Sequence, residues 1–153
     1  MNKILVVEDE KDIQDVLAEA LKIWGYETVV ANNGEEGLHK FNEQNFSMVI
    51  TDIRMPVMDG LTMLKKIKEK KPFMPILVVT GYPSVDSAVE SLMKGADYYI
   101  VKPINMDDLH AKIGKAFESK KVHLKMQKYK RINIILSLLL PVCIFLGYLI
   151  AKL

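Results

Sequence analysis

Along roughly the first 120 residues the apolar positions keep changing period, short continuous runs alternating with stripes spaced three and four apart. The runs Ile4 to Val7, Thr28 to Ala31, Met48 to Thr51, Ile76 to Val79 and Tyr98 to Val101 are β-branched or aromatic. They are continuous rather than alternating, as strands covered on both faces should be. Between them, Ile13, Val16, Leu17, Ala20 and Leu21 follow the i, i+3, i+4, i+7, i+8 spacing of an amphipathic helix. Leu61, Leu64 and Ile67, then Val85, Val89, Leu92 and Met93, repeat the spacing, and each stripe is expected to pack its helix on the sheet. Leu38 and Phe41 mark a weaker helix after Asn33-Gly34. Asn105 with Asp107 and Asp108 makes an N-terminus for a fifth, running through Leu109, Ile113 and Phe117. Five strand–helix units in succession predict an α/β fold with a doubly wound parallel sheet.

That pattern stops before residue 132. From Ile132 to Ala151 no side chain is charged, and a helix of that length rises about 30 Å, the thickness of a bilayer's hydrocarbon core. A buried soluble helix is the alternative, but a sheet already covered on both faces leaves no groove for it. Pro141 and Gly147 would weaken a water-soluble helix and are tolerated in a membrane. Lys120, Lys121, Lys125, Lys128, Lys130 and Arg131 precede the segment and Lys152 follows it. By the positive-inside rule the α/β domain stays on the cytoplasmic side. Tyr129 and Tyr148 fall near the two expected interfaces, and the cations suit anionic lipid headgroups. Residues 107–131 contain no proline, so the fifth helix is expected to continue toward the membrane, with Gly114 its weak point. The organisation read from the chain is a domain over 1–119, a basic helical linker over 120–131, a transmembrane helix over 132–151 and a tail over 152–153, placing the protein at the cytoplasmic membrane.

Charge sharpens the division. Residues 1–119 hold 14 Lys and Arg against 19 Asp and Glu, whereas 7 cations and no acid follow. The basic stretch has no DNA-binding domain around it, so nucleic acid is not an expected partner. The only cysteine, Cys143, excludes an intramolecular disulfide, and the opening MNKILVVEDE has too short an apolar run for a signal peptide.

Chemistry-bearing residues interrupt the chain where the strands end, the edge at which doubly wound sheets form their sites. Glu8-Asp9 follows the first strand, Asp52 the third, Thr80 the fourth and Lys102 the fifth. Carboxylates brought together repel one another, and a hard cation such as Mg²⁺ with oxygen ligands relieves this. A carboxylate is also a nucleophile toward a phosphoryl group when a metal, an ammonium and hydrogen-bond donors meet the charge on the transferring oxygens. Asp52, Lys102 and Thr80 would supply that chemistry. Aspartate phosphatases and dehalogenases place a second aspartate two residues on, where this chain has Arg54. A nucleotide-binding sheet would want a glycine-rich turn where it has Glu8-Asp9-Glu10-Lys11. His39, His110 and His123 lie on mostly polar helical faces and are not expected as phosphodonors, and the methionines read as core filler or pliable surface rather than ligands.

The motifs VVEDE at 6–10, TDIRMPVMDGL at 51–61, VVTGY at 78–82 and GADYYIVKP at 95–103 closely resemble those of two-component response-regulator receiver domains, of the chemotaxis-regulator fold, over about four-fifths of the chain. The resemblance implies a five-stranded flavodoxin-like sheet of strand order 2-1-3-4-5, with Asp52 as phosphoacceptor. It implies Asp9 and Asp52 as direct Mg²⁺ ligands, Glu8 assisting through water, and the Arg54 backbone carbonyl as a further ligand. Thr80 and Lys102 would contact the phosphoryl oxygens, Tyr99 would be the switch aromatic that follows Thr80, and the Lys102-Pro103 bond would be cis. The implied partner is a histidine kinase or histidine phosphotransfer protein. The implied role is a signalling phosphoacceptor that catalyses its own phosphorylation and dephosphorylation, rather than a metabolic enzyme. A homodimer through the fourth and fifth helices is expected, with no DNA-binding output domain. Two alternatives stay open: a membrane-bound scaffold of receiver fold that does not signal by phosphorylation, and a soluble receiver whose apolar tail drives oligomerisation.

Overall fold

The protein, described by a computed structural model, has its backbone described over residues 2–150; the side chains of residues 124, 127, 131, 136, 138 and 140 onward lie outside the described set. Five parallel strands, β1 (Lys3–Val7), β2 (Glu27–Ala31), β3 (Met48–Asp52), β4 (Ile76–Thr80) and β5 (Tyr98–Val101), form one sheet in the order β2-β1-β3-β4-β5. Helices α1 (Lys11–Ile23), α2 (Gly34–Glu43), α3 (Gly60–Lys70), α4 (Val85–Met93) and α5 (Met106–Ile150) connect and follow them. The order starts in the middle of the sheet and turns back across β1, which opens a crevice at the carboxyl ends of β1 and β3.

Successive residues of a strand face opposite sides, and this splits the core in two. Leu5, Val7, Val49 and Val78 pack with Phe41 of α2 and Leu64 and Ile67 of α3. Ile4, Val6, Ile50 and Val79 pack with Leu17 and Leu21 of α1 and Leu109 and Ile113 of α5. On that second face the Trp24 and His110 rings stack 4.3 Å apart, joining the end of α1 to α5.

One of the expected inward stripes points outward, and one residue of another does. Val85, Val89, Leu92 and Met93 of α4 are exposed, Met93 to 83%, and Val16 of α1 is 52% exposed. The side of α4 that meets the sheet is made of small residues, with Ser91 fully buried and Ser87 and Ala88 half-buried. A three-four spacing marks a helix with an apolar face but does not say which way that face turns.

Helix starts follow local chemistry. Asn33 caps α2 through Glu36 N–H at 2.9 Å, the Ser84 and Ser87 hydroxyls form a reciprocal capping box on α4, and Asn105 accepts from Asp108 N–H at 3.0 Å to start α5. Asp59 caps α3, accepting from the Thr62 N–H and hydroxyl, both at 2.7 Å. Partial burial works against the Asp59 charge, but the Thr62 bonds outweigh it and hold the carboxyl below the usual aspartate range. Replacing Asp59 with Ala is expected to remove about 1 kcal/mol of stability. Because the folded value is lowered, the contribution is present above the ordinary aspartate pKa and is lost as pH falls through the lowered one. Urea melts of both proteins at neutral and acid pH check this: the gap should close on acidification.

Residues up to Phe117 form one compact unit and those from Glu118 onward another. In the second unit the helical backbone continues to residue 150, with Lys121, Lys125, Lys128 and Lys130 exposed. Val122, Met126 and Tyr129 are exposed as well. Among the described residues no helix is long and apolar enough to cross a membrane. The expected transmembrane helix over 132–151 is therefore not found there, and much of that segment lies outside the described side chains.

Candidate functional site

The register that aligns β1 with β3 and β3 with β4 brings Val7 level with Thr51 and Asp52 level with Val79, so the residues ending these strands share one edge. Glu8 is 1% exposed and Asp52 5%, carboxylates that require compensation at such depth. Lys102, arriving from β5, supplies it. Its ammonium donates to Asp52 Oδ2 at 2.8 Å, to Glu8 Oε1 at 3.1 Å and to Glu10 Oε1 at 3.2 Å, which uses all three of its N–H groups. Burial favours the neutral amine, but the bonds to Asp52 and Glu8 prevail and hold Lys102 protonated well above the ordinary lysine value. Burial pushes the Glu8 carboxyl above the usual range even against the Lys102 ammonium, and the neighbouring Asp52 charge adds to the rise.

Three carboxylates against one ammonium leave two negative charges uncompensated. Glu8 Oε2 lies 2.9 Å from Lys102 Nζ, yet it is buried without a hydrogen-bond donor: the contact is electrostatic and out of line for a bond. Among the described residues Glu8, Glu10 and Asp52 form the group of acids whose ligand atoms lie within 4.8 Å of one another. A hard divalent cation matches both the excess charge and the unused oxygen, so the residues present fit Mg²⁺. Asp9 does not belong to that group and is exposed. Glu10, exposed as Asp9 is, stands in that group beside Glu8 and Asp52. Glu10 was legible beforehand only as one of three consecutive acids.

The loop after β3 shapes the other wall. Asp52 Oδ1 accepts from the Ile53 N–H and from the Arg54 N–H at 3.3 Å, so two backbone amides fix the carboxylate and leave Oδ2 facing Lys102. The Arg54 guanidinium sits 4.4 Å over the Tyr82 ring. Val57 has φ 68°, a strained choice for a β-branched residue of the kind found beside sites. Gly60 is obligatory: a Cβ there would lie 1.8 Å from the Asp52 carbonyl oxygen.

Thr80 is fully buried at the end of β4, where its hydroxyl accepts from Tyr82 N–H at 3.2 Å. Tyr99 lies beside Val78 in the register and packs half-buried against the α2–α3 core. Its hydroxyl is 3.1 Å from Ser87 Oγ of α4. Ser87 Oγ already donates to Ser84 O, so Tyr99 is the donor to it. Sequence reasoning passed over Ser87, which carries no motif. The Lys102-Pro103 peptide is cis.

The response regulator receiver domain family matches residues 4–114. The chain belongs to that family. Receiver domains bind Mg²⁺ through acidic residues and are phosphorylated by histidine kinases or phosphotransfer proteins. This receiver is 43% identical over 113 residues to the transcriptional regulatory protein ZraR of Escherichia coli (strain K12), a match covering 74% of this chain and 26% of ZraR. It therefore spans about a quarter of the length of that relative. Among solved structures, a receiver domain protein from Clostridium thermocellum is 35% identical with TM-score 0.76, covering 80% of this chain and 98% of that one. The beryllofluoride-activated NtrC4 receiver domain dimer is also 35% identical, with TM-score 0.75, covering 78% of this chain and 99% of that one.

Proposed function

We propose that this receiver accepts a phosphoryl group on Asp52 from a phosphohistidine and that residues 132–151 hold it at the cytoplasmic membrane. The observation that carries the first half is the buried Asp52 carboxylate, gripped by two backbone amides on one oxygen and by Lys102 on the other. Asp52 forms a bond to phosphorus as the P–N bond of the donor breaks and the imidazole leaves with the electron pair. Lys102 and the Thr80 hydroxyl meet the phosphoryl oxygens. Glu8 and Asp52, with Asp9 and the Arg54 carbonyl as the resemblance implies, would hold Mg²⁺, which when bound neutralises charge on the transferring group. The product is an acyl phosphate that this same site later hydrolyses, so the role is that of a signalling phosphoacceptor. Labelling that requires Asp52 and Mg²⁺ together tests the reading.

A groove of about 340 Å³ opens beside Lys102, lined by Ile13 and Val16 of α1, by Pro103 and Ile104 before α5 and by Met106 at its start. Its apolar floor next to the phosphoacceptor suits the helical surface around the donor's histidine, and it gives exposed Val16 a use. The outward apolar face of α4 suits a second copy of the chain, and the similar beryllofluoride-activated NtrC4 receiver domain is a dimer. Tyr99, joined to α4 through Ser87, would convey the state of Thr80 to that face.

Support for the anchor lies in the chain itself: a charge-free stretch over 132–151 follows a basic one over 120–131, an arrangement that suits a span facing anionic headgroups. Comparing the full chain with one stopped after Lys128 under alkaline carbonate washing tests it. The full chain is expected in the washed membrane pellet and the shorter one in solution. A full chain that washes off makes the tail a helix that docks on protein.

A further inference from the structure

Gln14 is a buried polar residue on the inner side of α1, 1% exposed, in line with the core residues Leu17 and Leu21. Its Nε2 lies 3.1 Å from the Glu8 carbonyl oxygen, 3.2 Å from the Ala31 carbonyl oxygen and 3.4 Å from Asn32 Oδ1. Its Oε1 accepts from the Lys11 ammonium at 3.1 Å. The amide can face only one way. Turned over, its oxygen would meet two carbonyls and its NH₂ group an ammonium.

Those two carbonyls close the ends of β1 and β2, and the Ala31 oxygen also accepts from Glu8 N–H at 3.0 Å. One side chain thus fastens α1 to the point where the chain leaves β1 and enters residues 8–10. That turn carries Glu8 and Glu10, two of the three acids gathered around Lys102. Gln14 makes no hydrogen bond to any of those carboxylates. What it touches is the backbone from which the Glu8 side chain springs, and the direction of that backbone decides where the Glu8 carboxylate stands relative to Asp52. An apolar residue would fill the same volume and complete the α1 stripe, but it would leave the two carbonyls without this donor.

We infer that Gln14 is a positioning residue for the acidic turn: its buried carboxamide holds the Glu8 and Ala31 carbonyls and so sets the spacing of Glu8 from Asp52 that a divalent cation requires. This rests on the reading of Glu8 and Asp52 as the Mg²⁺ site. Groups one step behind a ligand set typically change metal affinity tenfold to a hundredfold when removed.

The test is Mg²⁺ titration of the full chain by calorimetry, comparing wild type with Gln14→Met, Gln14→His and, as a control for lost stability, Leu21→Ala on the same helix. Gln14→Met is expected to bind Mg²⁺ at least tenfold more weakly. Gln14→His, which keeps one N–H donor, should recover part of the affinity. Leu21→Ala should melt at lower temperature with its Mg²⁺ affinity within about twofold of wild type. Should Gln14→Met not fold, Gln14→His alone decides, since it must fall between wild type and tenfold weaker. Wild-type affinity in a folded Gln14 variant overturns the role of Gln14, as does an equal loss of affinity in Leu21→Ala. A wild-type chain that takes up no Mg²⁺ overturns instead the metal site beneath it.

Discussion

Asp52→Asn is expected to reduce phosphoryl incorporation to background while leaving the domain folded. The amide has the shape of the carboxylate and can still accept from the Ile53 and Arg54 amides, so the wall of the site is kept. It is no longer a nucleophile that can form an acyl phosphate. The substitution also removes one of the two uncompensated charges around Lys102, which relieves repulsion and argues against a loss of stability. Incubation with a phosphohistidine donor and Mg²⁺, followed by hydroxylamine treatment, reads the result. Wild type should carry a hydroxylamine-labile label that disappears on chelation of Mg²⁺, and Asp52→Asn should carry none. Persistent labile labelling in the variant would place the phosphoryl group on another acid and sink the assignment.

Lys102→Met carries the second large effect, and it divides by condition. Without Mg²⁺, Glu8 and Asp52 lose the cation that compensates them in their buried setting, and breaking such a pair costs about 3 kcal/mol. Glu8 is already pushed toward its neutral form by burial. Its contribution to stability is complete below the ordinary glutamate pKa and is lost as pH rises through the raised value, so the variant should suffer more at neutral than at acid pH. Mg²⁺ would meet the same carboxylates and restore much of the loss. The expected result is a larger Mg²⁺-induced rise in Tm for Lys102→Met than for wild type, together with phosphotransfer slowed by about a hundredfold or more, since a charged donor to the transferring oxygens is gone. Thermal melts with and without Mg²⁺ check the first part. Equal Tm values for the two metal-free proteins would show that the ammonium is not what compensates these acids.

Much of the site could be read before folding because its residues interrupt apolar strands, and a polar residue at a strand's end announces itself against a hydrophobic background. Asp52, Thr80 and Lys102 stand out this way, and Lys102 does bridge to Asp52. Glu10 and Gln14 were missed for opposite reasons. Glu10 sits in a run of acids in which nothing local distinguishes the one that reaches Lys102, and Gln14 interrupts a helix in which a single polar position reads as the edge of a stripe. The outward face of α4 was misread because amphipathic spacing has no sense of direction. Its small residues Ser87, Ala88 and Ser91 allow a close approach to the sheet, and the larger side chains are left outside.

By itself the sequence determined the succession of strands and helices, the helix start at Asn105, the charge division near residue 120 and the kinds of group available at each strand end. These depend on period, local hydrogen bonding and composition, which are properties of neighbouring residues. Only the tertiary structure decided that Lys102 spends its three donors on Glu8, Glu10 and Asp52, that Gln14 braces the turn carrying two of those acids, and that α4 shows its apolar face to solvent. Those outcomes depend on register and burial between segments as much as ninety-four residues apart, where the depth of a carboxylate and the direction of a backbone carbonyl are set by packing rather than by the residues beside them.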